Sequence, residues 1–254
     1  MKENLWKLII YMALIGMLAF GYLYLREMGI QKNSLDFYEN LREAAQQKQE
    51  ETPSGVSSSV PEESEGTERR NVNFDQLSEI NSDIIGWIWA PDLPIDYPVV
   101  QGTDNSFYMN HMFNKEENPS GSIFLSYDNS SDFSDDVSSI YGHHIKNNSM
   151  FTSLTGYKDP GFYREHPVLY LETKDHSYEI RLFAGYLLSG KGNPFPINFK
   201  NGEDRQEFIY ECIGKSTFTS ETTPGEDDRI VILCTCTYEF EDARYAVAGY
   251  LVER

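Results

Sequence analysis

Near the C-terminus two apolar runs, IVILCTCT (Ile230–Thr237) and RYAVAGYLV (Arg244–Val252), flank the polar segment YEFEDA. The first run is dense in β-branched and apolar residues and is preceded by EDDR, the pattern of a strand buried on both faces. The gap to the second run is short enough that an antiparallel return is the economical connection, so the chain is expected to end in a β-hairpin. Alternation then places Ile230, Ile232, Cys234 and Cys236 on one face, and Val231, Leu233, Thr235 and Thr237 on the other. Cys236 stands where the first strand leaves and Arg244 where the second enters, so the hairpin sets a thiol opposite a guanidinium.

A thiol beside a guanidinium gains thiolate character, and the same cation can stabilise the oxyanion formed when the thiolate attacks a carbonyl. The plain alternative is a small buried cysteine next to an ordinary surface arginine. A histidine would decide between them. The chain has five, His111, His143, His144, His166 and His176. His143 and His144 stand out, because SSIYG reads as the end of a strand and HHIKNNS then turns polar, which suits an imidazole on a strand-exit loop. The residues themselves do not choose between the two.

Four blocks extend the pattern: GWIWAPDLPIDYPVVQGTDNSFYMNHMF, GSIFLSYDN, YGHHIKNNSMF and LCTCTYEFEDARY, in that order from about Asn73 to the C-terminus. With them the chain resembles the class B sortases, cysteine transpeptidases of Gram-positive cell surfaces. The resemblance implies a mixed, mainly β fold, a sortase-like β-barrel with N-terminal and peripheral helices. It makes Cys236 the nucleophile, His143, directly after Tyr-Gly, the catalytic histidine, and Arg244 the arginine of the following strand. Asn105, Met109, Tyr141 and Cys234 match positions lining the family's peptide groove. In the family's TLxTC signature Ile232 here replaces the first threonine, and Cys234 fills the variable position, setting a second thiol near the nucleophile.

The N-terminus is a different kind of segment. Leu8–Leu25 is an uncharged run of 18 residues, which as a helix spans about 27 Å, close to the hydrocarbon thickness of a bilayer. A cleavable signal peptide is the competing reading, given Lys2 and Lys7, but the run is long for a signal core and no small-x-small cleavage site follows it. The expected organisation is a membrane anchor with its flanks over 1–32, a juxtamembrane helix and flexible linker over 33–72, and a catalytic domain over 73–254. Leu35, Tyr38, Leu41 and Ala45 have helical spacing within Ser34–Glu51, and Thr52–Arg70 is too rich in Ser, Glu, Pro and Gly to bury a face. Basic residues on both sides of the span leave its orientation undecided by charge. The resemblance implies an extracytoplasmic domain.

Within the domain, a helix with Phe74, Leu77 and Ile80 inward is expected to end near Asn81. Strands follow through Gly86–Trp89, IDYPVV, Ser122–Tyr127 and Tyr178–Leu188, with a helical turn over Asp104–Phe113 capped by Asn105 and a helix over Glu203–Ile213 that buries Cys212. This order lacks βαβ alternation, which again indicates a barrel-like sheet. Beyond Lys32 there are 17 basic and 38 acidic residues, a balance that argues against nucleic acid and against lying on anionic lipid. Cys234-x-Cys236 is a poor zinc pattern. DNSSDFSDD (Asp128–Asp136) lacks the glycine and terminal glutamate of an EF-hand loop and reads as a solvated loop. No metal or other cofactor is expected.

The activity implied is acyl transfer, with cleavage after threonine in a C-terminal sorting motif of surface proteins, NPQTN-like or SPxTG-like, and transfer to an amine of a cell-wall precursor or another protein. Membrane lipid, through the N-terminal helix, is the other expected partner. Two other classes share these residues: a cysteine peptidase that hydrolyses its acyl enzyme, and a catalytically silent surface binding module.

Overall fold

The computed structural model describes residues 2–45, 70–190, 195–237 and 239–254. They fall into two compact units divided after Asn40. In the first unit the chain is helical, part of α1 (Lys2–Ala45). The expected anchor and juxtamembrane segments are therefore one continuous helix as far as Ala45, with no break at Lys32. Trp6, Leu14, Leu18 and Phe20 are exposed along it, and from Ile9 onward the helix is long and apolar enough to cross a membrane. Most of the expected linker, 46–69, lies outside the described residues.

The second unit is built on a closed eight-stranded barrel in the order β1-β2-β3-β4-β7-β8-β6-β5. The strands are β1 (Ile84–Trp89), β2 (Asp96–Val100), β3 (Ile123–Leu125), β4 (Val137–Tyr141), β5 (Val168–Glu172), β6 (Ser177–Ser189), β7 (Ile230–Cys236) and β8 (Ala243–Glu253). Two neighbouring pairs run parallel, β2 with β3 and β4 with β7, and the remaining pairs are antiparallel. The predicted C-terminal hairpin is β7–β8, with Cys236 directly across from Arg244. β8 pairs with β6 along its other edge from Tyr178↔Glu253 to Ser189↔Ala243, so the hairpin is held on both sides of β8.

One face of β7, with Ile230, Ile232 and Cys234, packs in a cluster with Ile209 and Cys212 of α4 (Gly202–Lys215). Val231 and Leu233, fully buried on the opposite face, turn into the barrel. The helix begins at Asn201, whose side chain accepts from Asp204 N, and carries Glu203 and Asp204 in its first turn and Lys215 in its last, in keeping with its dipole. From α4 the buried Arg205 donates to the carbonyls of Gly225 (2.8 Å) and Asp228, fixing the approach to β7.

Several local expectations differ from the structure. In α2 (Phe74–Ile80) Leu77 is buried but Ile80 is exposed, because the helix ends at Asn81 and its last turn faces solvent. Arg70 and Val72, ahead of α2, are already packed. The Arg70 guanidinium pairs with Asp96 and lies over the rings of Trp87 and Trp89. The 3₁₀ turn Phe107–Met109 has Ser106, not Asn105, at its N-cap position, and the Asp104 carboxylate just ahead of it accepts from the backbone of Ser106 and Phe107. β3 has three residues, all buried; Ser122 N donates outside the sheet, to Tyr108 O, while Ser126 N donates to Ser139 O of β4 just past the strand's end. In the acidic loop Asp135 is buried, accepting from Asn129 and Ser130, so that stretch is a folded turn and not a fully solvated one. β5 and α3 (Pro160–Glu165) carry no strong periodic signal of their own.

Candidate active site

Three strand ends form one rim of the barrel. β4 and β7 are parallel and in register through Tyr141↔Cys234, so both leave the sheet at the same end. β8, antiparallel to β7, enters there at Arg244. Past Tyr141 the chain turns through Gly142, whose N–H donates to Cys234 O at 3.1 Å, and delivers His143 beside the exit of β7. A cleft of about 180 Å³ opens at this rim, lined by Cys236, His143, Arg244, Tyr141, Cys234, Asn105 and Met109, together with Phe124, Gly142 and Thr235. All seven residues singled out from the sequence thus face one cavity, although Asn105 and Met109 lie far from Cys236 along the chain.

The geometry of each follows from local bonding. Cys236, the last residue of β7, is the exposed one of the three free cysteines. Cys234, two residues earlier, is buried; loss of solvent pushes its thiol up to about 12, with the Arg244 guanidinium pulling the other way and Cys236 adding to the rise. At neutral pH Cys234 is therefore a neutral wall of the cleft. The Arg244 guanidinium lies 5.9 Å from the centroid of the Tyr141 ring. The Tyr141 phenol is raised to about 12 by burial first, so it stays protonated as a donor. Across the sheet Tyr141 pairs with Phe124, ring centroids 5.5 Å apart.

His143 is seated by its Nε2, which lies 2.5 Å from Met109 O. A carbonyl only accepts, so that nitrogen carries the proton and Nδ1 is the one left for proton exchange. Gly121 makes the seat possible. Its φ is +59°, and a Cβ there would stand 2.8 Å from Met109 O and 3.0 Å from His143 Cδ2. The adjacent His144 points elsewhere, its Nδ1 donating to the carbonyl of Cys236 at 3.1 Å. Both histidines thus reach the site, one with its ring in the cleft and one through the backbone of Cys236. Asn105 donates to Ser126 Oγ at 3.1 Å and accepts from Tyr127 N at 2.9 Å, so its amide ties the cleft wall to the end of β3.

The sequence reading does not single out Phe124, Gly142 or Thr235. The usable signal for Phe124 is an aromatic in the short apolar strand of GSIFLSYDN, opposite Tyr141. Among the described residues no group of three or more His, Cys, Asp or Glu is placed to hold a metal ion.

No protein-family model matches the chain. Sortase B of Listeria monocytogenes is 34% identical over 180 residues, covering 70% of this chain and 73% of the relative. Sortase B of Staphylococcus aureus is 33% identical over 182 residues, covering 71% and 75%. The chain belongs to the class B sortases. It is thereby a member of a family of cysteine transpeptidases. Solved structures agree on the fold. The crystal structure of S. aureus sortase B aligns with a TM-score of 0.67 at 32% identity, covering 71% of this chain and 87% of that one. Clostridium perfringens sortase B aligns with a TM-score of 0.67 at 33% identity, covering 71% of this sortase and all of its own chain. Sortase B has also been solved in complex with a substrate, for the S. aureus enzyme, and with triglycine.

Proposed function

We propose that this sortase is a membrane-tethered transpeptidase that cleaves surface proteins after the threonine of a C-terminal sorting motif and transfers the acyl group to an amine. The observation that carries the reading is the convergence of Cys236, His143 and Arg244 on one rim and one cleft. The Cys236 thiolate attacks the threonine carbonyl carbon, and Arg244 donates to the oxyanion that forms. As the C–N bond breaks, the His143 imidazolium gives the proton on Nδ1 to the leaving amine, and a thioester to Cys236 remains. An incoming amine attacks that thioester, His143 takes its proton, and the thiolate leaves. Met109 and Tyr141 provide groove surface for the peptide. Asn105, its amide already bonded, and the buried Cys234 contribute shape. The acceptor is a cell-wall precursor amine or a lysine of another protein; the triglycine complex of a sortase B supports a small peptidyl amine.

In this reading residues 1–32 hold the protein in the membrane with the N-terminus inside, 33–72 connect, and 73–254 act outside the cytoplasm. Mass analysis of products from NPQTN-like and SPxTG-like peptides, with and without triglycine, tests it. The expected result is a peptide cut after threonine and joined to triglycine. A free carboxylate alone, with triglycine present, would identify a peptidase, and no acyl enzyme at Cys236 with any such peptide would leave a binding module.

A further inference from the structure

Cys236 lies beyond the last pair of the β4–β7 ladder, Tyr141↔Cys234. On its β8 side it is held by pairing with Arg244, but on its β4 side no strand among the described residues reaches it. There side chains take over. His144 donates to the carbonyl of Cys236 itself. One residue on, Lys158 donates from its Nζ to Thr237 Oγ1 at 2.8 Å and to a carboxylate oxygen of Glu239, and Thr237 Oγ1 in turn donates to the other oxygen of Glu239. Three groups thus close a ring in which the hydroxyl both accepts and donates. Thr237 is buried, and the ammonium also lies 5.4 Å from the centroid of Tyr245 in β8.

Lys158 ends the 3₁₀ segment Thr152–Lys158, which follows from His143. That segment is fixed at its start by Phe151 N donating to His143 O at 3.0 Å and by Ile145 N donating to Thr152 Oγ1 at 2.7 Å. Near its end the buried Tyr157 is held by Thr217 Oγ1 donating to its carbonyl at 2.9 Å. Lys158 therefore joins the segment that carries the histidine to the turn that leaves the cysteine. We propose that Lys158 is a positioning residue for acyl transfer: through Thr237 and Glu239 it fixes the turn after Cys236 against the His143 segment and so sets the thiol and imidazole relative to each other. Partial burial raises the Glu239 carboxyl, but its bonds from Lys158 and Thr237 outweigh that and bring it down to about 2, so the ring stays charged at neutral pH.

This inference rests on Cys236 being the nucleophile, and its test separates the two. In the full chain, turnover of the NPQTN-like and SPxTG-like peptides with triglycine is compared for wild type, Lys158→Met, Glu239→Gln, the double variant and Cys236→Ala, alongside iodoacetamide alkylation of Cys236 and amide hydrogen exchange. A misplacement near 1 Å costs about 100-fold in rate. Lys158→Met is thus expected to lower kcat by about tenfold or more with KM and the alkylation rate within about twofold, while exchange at Thr237 and over 239–242 rises. The Glu239→Gln variant, changed at a surface carboxylate, is expected to fold as wild type and lower kcat similarly. The double variant should lose no more than either alone, because both break one ring. A Lys158→Met enzyme with kcat within twofold of wild type, multiplicative losses in the double variant, or unchanged exchange in the turn would overturn the inference. Turnover surviving in Cys236→Ala would overturn the acyl-transfer reading instead.

Discussion

Gly142 separates the last residue of β4 from His143, and replacing it with alanine tests how rigidly the site is built. A Cβ at this position would lie 2.4 Å from Ile123 Cδ1 and 2.8 Å from Phe151 Cγ and Cδ2. Ordinary contact begins near 3.4 Å, so something must move by up to about 1 Å. Both neighbours are buried, and Phe151 is also fixed by its N–H to His143 O. Overpacking of this kind costs about 1–3 kcal/mol. At about 2–4 °C per kcal/mol for a domain of this size, a cost near 2 kcal/mol lowers Tm by about 4–8 °C. The backbone of β4 is restrained by its ladder to β7, so the strain is relieved on the loop side, past the last pair of the ladder, where His143 sits. Gly142→Ala is therefore expected to fold, to melt earlier by that amount, and to lose about 10- to 100-fold in kcat while Cys236 still reacts with iodoacetamide at nearly the wild-type rate. Thermal melts, turnover of the sorting-motif peptides and alkylation rates measure the three quantities. A Tm within about 1 °C of wild type together with full turnover would refute the claim that packing behind Gly142 sets the position of the histidine.

Three other outcomes are expected. His143→Ala loses nearly all turnover, whereas His144→Ala, which removes one exposed bond to the Cys236 carbonyl, keeps most of it; equal losses would defeat the assignment. Arg244→Lys keeps the charge but not the planar fork of donors, so turnover drops substantially while the fold and alkylation of Cys236 are retained, and undiminished turnover would show that Arg244 is not a directional donor. Cys234→Ser keeps most activity and Cys236→Ala none. Neighbouring i and i+2 strand residues point in parallel about 6.5 Å apart, so mild oxidation should not join the two thiols, and a reversible two-dalton loss on their shared peptide would contradict this.

The part of the site most legible in the sequence is the hairpin, because dense β-branched runs with a short polar gap admit few connections, and its predicted pairing of Cys236 with Arg244 is the register observed. His143 and His144 are not separable by pattern alone, since both follow the same strand exit. What separates them is a tertiary partner, Met109 O for one ring and Cys236 O for the other. The same limit explains the misassigned cap at Asn105: Asp104, Asn105 and Ser106 are all good cap residues, and the turn starts after Ser106 with Asn105 drawn away to Ser126 and Tyr127. Ile80 continues a helical apolar stripe but falls in the last turn of a short helix, where the stripe outlasts the surface it covers. β5 is short, and although Pro167 stands just before it, nothing in the run itself fixes its partners, which are its neighbours β1 and β6.

The least legible feature is also the one the site depends on. Nothing local in VSSIY or IVILCTC states that β4 and β7 run parallel, since the pairing spans the chain between them and is set by how the intervening β5, β6 and α4 pack. Had the five residues of β4 met β7 antiparallel, His143 would leave the barrel at its far end, about 16 Å from Cys236 at 3.3 Å per residue. No loop adjustment at the rim would bridge that distance and set the imidazole beside the thiol. The parallel crossover therefore brings the thiol and the imidazole to one rim, and the hairpin return of β8 adds the guanidinium. The side-chain tie proposed at Lys158 then acts over the last few ångströms, where the ladder has ended and orientation still has to be set.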